Sequence, residues 1–164
     1  MRDEVDGLVE HWTRAGVPAD TVTRLALSKR ISRLAVRHEQ AMKAELADLG
    51  LTYAEFDVLA ALRRADGPLR PSDLSRALFL TSGGISNVLQ RLTASGYVAS
   101  GPDQGDARGR LVQLTESGRA HTDLAMTASA RLHESLYADV PTATLQAAAD
   151  ALRPVVAASE RRRP

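Results

Sequence analysis

The chain has 164 residues, 44% of them apolar and only 4% aromatic, with 21 Lys+Arg against 20 Asp+Glu and no cysteine. These figures fit one soluble globular domain and leave no disulfide framework, thiolate metal site or nucleophilic thiol. The longest charge-free stretch, Ala77 to Gln90, has 14 residues, too short and too polar for a bilayer. Met1-Arg2-Asp3-Glu4 lacks the basic flank and apolar core of a secretory signal, so a cytoplasmic location is expected. The net charge of +1 does not decide about nucleic acid, because position matters more than total. Between Pro68 and Leu114, Arg70, Arg76, Arg91, Arg108 and Arg110 outnumber Asp73, Asp103 and Asp106.

From Thr21 to Leu49, Leu27, Ile31, Leu34, Ala35, His38, Ala41, Met42, Leu46 and Leu49 recur at three- and four-residue steps, which predicts one long amphipathic helix. Gly50 ends it. Thr52 and Glu55 have capping-box spacing, so a second helix starts there and runs to about Ala65, where Asp66-Gly67-Pro68 stops it. Pro71 suits the first turn of a short third helix through Leu78, with Leu74, Ala77 and Leu78 buried. Arg70 precedes it where a capping Ser or Thr would serve better.

After the turn Phe79-Leu80-Thr81-Ser82, a fourth helix is expected from Gly83 to about Ser95, closed by Gly96 in the left-handed conformation. Tyr97 to Ser100, a tip from Gly101 to Gly109, and Arg110 to Leu114 read as a β-hairpin. A long helix from Thr115 to about Ala138 carries Leu124, Ala128, Leu132 and Leu136. The last helix carries Leu145, Ala148, Ala149, Leu152 and Val156, with a kink or restart expected at Pro154. The tail Arg161-Arg162-Arg163 is either a solubilising terminus or a nucleic-acid contact.

This order predicts a mainly α fold with a small β-hairpin wing, a winged helix-turn-helix. One continuous domain is expected, with an N-terminal extension and dimerisation helix (1–50), a DNA-binding lobe (51–118) and C-terminal dimerisation helices (119–164). The outer helices carry apolar faces that the central unit cannot cover alone, so an intertwined homodimer is expected.

On the fourth helix, placing Ile85, Val88, Leu89 and Leu92 inward leaves Gly83, Asn87, Gln90 and Ala94 outward, with Ser86 and Arg91 at the edges. Asn and Gln can pair with adenine in the major groove, and Gly83, Gly84 and Ala94 let the backbone come close. Thr81 and Ser82 at the helix start offer backbone amides to a phosphate. Arg108 and Arg110 alternate with Gly109 and should share one side of the wing, with Asp106 placed to hold Arg108. Phosphate or minor-groove contact follows for them, and Arg70, Ser72 and Arg76 become backbone anchors. Taken alone, each of these also fits a solvated surface.

Leu51-Thr52-Tyr53-Ala54-Glu55-Phe56-Asp57-Val58-Leu59, Pro71-Ser72-Asp73-Leu74-Ser75, Ser82-Gly83-Gly84-Ile85-Ser86-Asn87, Gly96-Tyr97-Val98, Asp106-Ala107-Arg108 and Leu114 to Ala120 together resemble the MarR family of bacterial transcriptional regulators. The resemblance covers residues 51 to 120. It implies a dimeric winged-helix regulator that binds a pseudopalindromic duplex operator and is released by a small ligand, with Gly83 to Ser95 as recognition helix. Trp12, Asp57 and Arg108 match ligand-responsive positions of its urate-responsive, PecS-like branch. Val88 stands where that branch has an arginine, and Ala107 replaces a common wing arginine.

Asp57 lies in a nearly apolar turn, where it is either a favourable charge near a helix start or part of an effector site. Trp12 is a packing anchor or a ligand platform. Lys29, Arg33 and Arg37 form a basic stripe with Arg30 beside it, near His38, and no acid follows in sequence until Glu39. The stripe is either solvated or able to draw a small aromatic or anionic effector into a crevice. His11, His38, His121 and His133 show no zinc spacing, no cofactor motif or catalytic constellation stands out, and Ser82-Gly83-Gly84 is neither a nucleophile elbow nor a phosphate loop. A winged helix serving only protein–protein interaction stays open, as does an enzyme.

Overall fold

The computed structural model describes residues 2–65, 67–103 and 106–161, with residues 106–108 by backbone only. Among the described residues, seven helices and one hairpin follow in order: α1 (Glu4–Arg14), α2 (Ala19–Ala47), α3 (Tyr53–Ala65), α4 (Pro71–Ala77), α5 (Ser82–Ala94), β1 (Val98–Asp103), β2 (Asp106–Leu114), α6 (Glu116–Leu136) and α7 (Thr142–Glu160). Contacts divide the chain into two compact units, Met1–Ser129 and Ala130–Pro164.

Local chemistry explains most boundaries of the first unit. Asp3 caps α1 by accepting from Val5 and Asp6 N–H, and the Asp6 carboxylate returns a bond to the Asp3 N–H, a capping box hidden from a search for periodic apolar residues. Thr52 and Glu55 do the same at α3: Glu55 Oε2 accepts from Thr52 N–H at 2.8 Å and from its hydroxyl at 2.7 Å. Gly50 and Gly96 take φ of 66° and 73° after α2 and α5, where Gly50 was expected to end its helix and Gly96 to close its own in the left-handed conformation. Arg70 is the N-cap of α4 and supplies no side-chain cap bond.

The core of this unit gathers around α3. Val58, Leu59 and Leu62 are buried, as are Met42 and Leu46 of α2, Leu74 of α4, Ile85, Val88 and Leu92 of α5, and Val98, Val112 and Leu114 of the hairpin. Burying each such aliphatic side chain stabilises the fold by about 1.5–3 kcal/mol. The hairpin is antiparallel, in register from Val98↔Leu114 to Pro102↔Arg110, with an irregularity at Pro102/Asp103. Leu69, in the α3–α4 connection, exchanges two 2.9 Å backbone bonds with Val112 and ties the wing to the helical lobe.

Two expectations need correction, at Ala77 and at Pro154. Ala77 is exposed, since the short α4 turns only Leu74 fully inward. In α6 the buried residues are Gly118, Thr122, Ala125, Ala128 and Ser129, and Leu124 is 60% exposed, consistent with an outer-helix apolar face that the central unit does not cover. In the second unit α7 runs from Thr142 through Pro154 to Glu160 as one helix, so of the kink or restart expected there the restart does not occur, and the helix carries no buried residue. The expected stop residue Asp66 and the tail residues Arg162 and Arg163 lie outside the described residues.

On α2, Leu27, Ile31 and Leu34 are 37%, 41% and 48% exposed, so the apolar stripe read from the sequence is left open in its middle. Among the described residues no helix is long and apolar enough to cross a membrane.

Candidate nucleic-acid interface

The turn between α4 and α5 is held at both ends. Ser75 donates its hydroxyl to the Leu80 carbonyl at 2.7 Å, and the Leu80 N–H returns a 3.0 Å bond to the Ser75 carbonyl. Phe79 takes φ 56° inside this bracket, a left-handed conformation that bulky residues rarely adopt, and the residue is 63% exposed. Thr81 caps α5 through a 3.0 Å bond from Gly84 N–H. A Cβ on Gly84 would stand 3.1 Å from the Thr81 hydroxyl, so glycine there keeps the cap unhindered, while one on Gly83 would meet nothing within 4 Å.

From this start α5 separates two faces. Ile85, Val88 and Leu92 are buried, and Ser82, Gly83, Ser86, Asn87, Gln90 and Ala94 are exposed. Val88 therefore anchors the helix in the core. Ser86 spends its hydroxyl on the Ser82 carbonyl at 2.8 Å, which leaves Asn87 and Gln90 as the amide-bearing groups of the outward row. Arg91, one turn after Asn87, donates Nε to Glu55 Oε1 at 2.7 Å.

The neighbouring cations differ in how firmly they are held. Arg70 grips the nearly buried Asp103 at 2.6 Å and so joins the start of α4 to the end of β1. Arg76 is exposed, 3.5 Å from Asp73 one turn back, and Ser72 is exposed on the same helix. Arg110 is exposed on β2, past the buried Val112 and Leu114 whose strand parity it shares. The side chains of Asp106 and Arg108, and with them the expected pairing on one side of the wing, lie outside the described residues.

The wing root depends on Gly118. Thr115 donates its hydroxyl to the Gly96 carbonyl at 2.7 Å and accepts from Gly118 N–H at 2.9 Å, while its own N–H bonds the Tyr97 carbonyl at 3.0 Å. His121 stacks on Tyr97 with centroids 4.3 Å apart and joins the Leu49 carbonyl through Nε2 at 3.0 Å.

The basic stripe of α2 is answered in part by acids of α1. Arg30 bonds Asp3 at 2.7 Å and Asp6 at 2.6 Å, Arg33 bonds Glu4 at 2.6 Å, and Arg37 lies 3.8 Å from Glu4. The acids that answer these cations are remote in sequence, and the α1 capping box brings them in. An open groove of about 750 Å³ remains beside Arg33, Arg37 and Leu34, and Lys29 lines a smaller one of about 430 Å³.

The remaining effector candidates separate. His38 meets Tyr53 edge-on with centroids 5.8 Å apart. Asp57 is half-buried, and burial pushes its carboxyl up against the opposing pull of Arg64 and His38. Trp12 is half-buried on α1, and no described hydrogen bond or ring contact joins it to Asp57. Among the described residues no group of three or more His, Asp or Glu is placed to hold a metal ion.

A model of the MarR family matches residues 49–109. The HTH-type transcriptional regulator PecS of Dickeya dadantii is 30% identical over 119 residues, covering 71% of each protein. The chain belongs to the MarR family. It is a DNA-binding transcriptional regulator with a winged helix-turn-helix. Among solved MarR-family structures, a mutant of Escherichia coli MarR complexed with operator DNA superposes with a TM-score of 0.73 at 26% identity, covering 79% of this chain and 92% of that one. Bordetella bronchiseptica BpsR, whose DNA binding is regulated by 6-hydroxynicotinic acid, superposes with a TM-score of 0.71 at 28% identity, covering 79% and 98%. The transcriptional repressor NicR of Pseudomonas putida is 34% identical over 98 residues, covering 60% of this chain and 61% of its own length.

Sequence reasoning missed Glu55 and Asp103, the two acids that hold Arg91 and Arg70. Glu55 was visible as a capping residue, but a capping carboxylate has two oxygens and only one was assigned. Asp103 carried no signal, because its partner is 33 residues away.

Proposed function

We propose that this MarR-family chain is a ligand-responsive repressor that binds a pseudopalindromic duplex operator as a homodimer and acts by binding rather than catalysis, in the cytoplasm. The observation that carries this reading is the outward row of α5: Gly83, Asn87, Gln90 and Ala94 are exposed while Ile85, Val88 and Leu92 fix the helix from behind. A narrow, amide-bearing helix of this kind fits the major groove, with Asn87 and Gln90 reading base edges. Thr81, Ser82, Gly83, Gly84 and Ser86 line the backbone approach at its N-terminus. Arg70, Ser72, Arg76, Arg91, Arg108 and Arg110 serve the phosphates.

The open stripe of Leu27, Ile31 and Leu34 supports a homodimer, because a second copy would cover it. Two-fold symmetry places the half-sites about one helical turn, roughly 10 bp, apart. The effector class is an aromatic anion, as for BpsR. Its proposed contacts are His38 and Asp57 at the α2–α3 junction, with Trp12, Lys29, Arg33 and Arg37 on the α1–α2 side.

Footprinting on DNA upstream of the protein's own gene, at graded salt and with a panel of aromatic carboxylates, tests the reading. Two protected half-sites, binding that falls steeply with salt and release by a carboxylate are expected. Salt-insensitive or absent duplex binding would favour a protein–protein module instead. Sedimentation of wild type and Ile31→Lys tests the dimer, which the substitution should dissociate.

A further inference from the structure

Arg91 is the one charged residue of α5. It sits on the edge of the outward face, one turn after Asn87 and next to Gln90, with its side chain 54% exposed. Its partner is the opposite in character. Glu55 is a buried carboxylate whose two oxygens are divided: Oε2 takes both bonds from Thr52, and Oε1 takes Arg91 Nε at 2.7 Å. Burial pushes the Glu55 carboxyl up, but the Thr52 N–H, Arg91 and the Thr52 hydroxyl outweigh it and hold the group below its ordinary range, so it stays charged.

A guanidinium has five N–H donors. One is used by Glu55, and the other four have no partner among the described residues. A flexible side chain is thus fixed at its Nε while its terminal fork is left for an anion. Because Glu55 is itself pinned by the α3 cap, the fork is referred to the rigid core of the lobe rather than to α5 alone.

We propose that Glu55 is a positioning residue that presents the Arg91 fork to a backbone phosphate of the operator, next to the bases faced by Asn87 and Gln90. This rests on the reading of α5 as the recognition helix. Glu55 touches no DNA. Its negative charge is masked from the phosphates by burial and by Arg91.

The test measures duplex binding against salt for wild type, Arg91→Ala, Arg91→Lys, Glu55→Gln and the Glu55→Gln/Arg91→Ala pair, with thermal unfolding as the control for folding. Arg91→Ala should weaken binding about tenfold and reduce the salt slope by about one. Arg91→Lys should restore the slope but not the affinity, because an ammonium lacks the fork. Glu55→Gln should weaken binding several-fold in wild type and have no further effect on Arg91→Ala.

An unchanged affinity and slope in Arg91→Ala would overturn the proposal while leaving the recognition helix intact. Full rescue by lysine would also overturn it, as would equal effects of Glu55→Gln with and without Arg91. Should Glu55→Gln fail to fold, the alanine–lysine comparison at the exposed Arg91 still decides. Absence of salt-dependent binding by wild type would remove both this inference and the reading beneath it, and so separates the two failures.

Discussion

Gly118 lies directly against the Tyr97 carbonyl: a methyl group on its Cα would stand 2.8 Å from the carbonyl carbon and nearer still to the oxygen. The start of α6 and the root of the wing can approach this closely only because no side chain intervenes. Gly118→Ala should therefore lower stability by about 1–3 kcal/mol or more, because the obstacle is backbone that cannot rotate away. Thermal unfolding measures this. A variant as stable as wild type would mean that the wing root gives freely.

Base reading and phosphate contact should separate by residue. Asn87→Ala and Gln90→Ala are expected to flatten preference at individual operator positions, each by about 1–3 kcal/mol. Arg108→Ala and Arg110→Ala should weaken all sequences alike and reduce the salt slope by about one each. Competition binding against singly substituted operators distinguishes them, and the reverse pattern would reassign the roles.

Asp57 makes a prediction about pH. Its carboxyl is pushed above the ordinary value of 3.8 by burial, so the folded state holds its proton more tightly than the unfolded chain does. Stability from this group is present at low pH and is lost as pH rises through the folded value. Asp57→Asn should raise the melting temperature at pH 7, and the gain should vanish at about pH 3, where the wild-type carboxyl is protonated in both states. A gain independent of pH would assign the effect to packing.

Trp12 is the only tryptophan in the chain, so its emission reports on α1. Arg30 holds Asp3 and Asp6, and Arg30→Ala should loosen that helix and shift the emission to the red. The stability change should be small, because exposed ion pairs contribute about 0–1 kcal/mol. Unchanged emission would mean that α1 is seated by apolar packing around the buried Val5.

What the sequence made legible follows the range of the interactions. The α3 capping box, the glycine ends of α2 and α5 and the two-faced character of α5 are local, and each is written within a few residues. The α1 capping box was equally local, and Val5, Leu8, Val9 and Trp12 recur at helical spacing behind it, so both signals of that helix stand in the sequence. The arginine partners were illegible: Asp3, Asp6 and Glu4 reach Arg30, Arg33 and Arg37 across 24 or more residues, and Glu55 reaches Arg91 across 36. Periodicity showed which face of α2 was basic but not what would neutralise it. The buried face of α6, with Gly118, Thr122 and Ala125, was not legible because small and hydroxyl-bearing residues leave little apolar period to read.

The acidic first turn of α1 bears on how such a protein finds its address in a genome. Any unsatisfied guanidinium invites adhesion to whatever stretch of duplex is nearest, and each such adhesion competes with the operator in proportion to the vast excess of ordinary DNA. With Arg30 and Arg33 answered internally, α2 adds less to this background stickiness than its count of cations implies. Discrimination is left to the lobe that can tell one base pair from another.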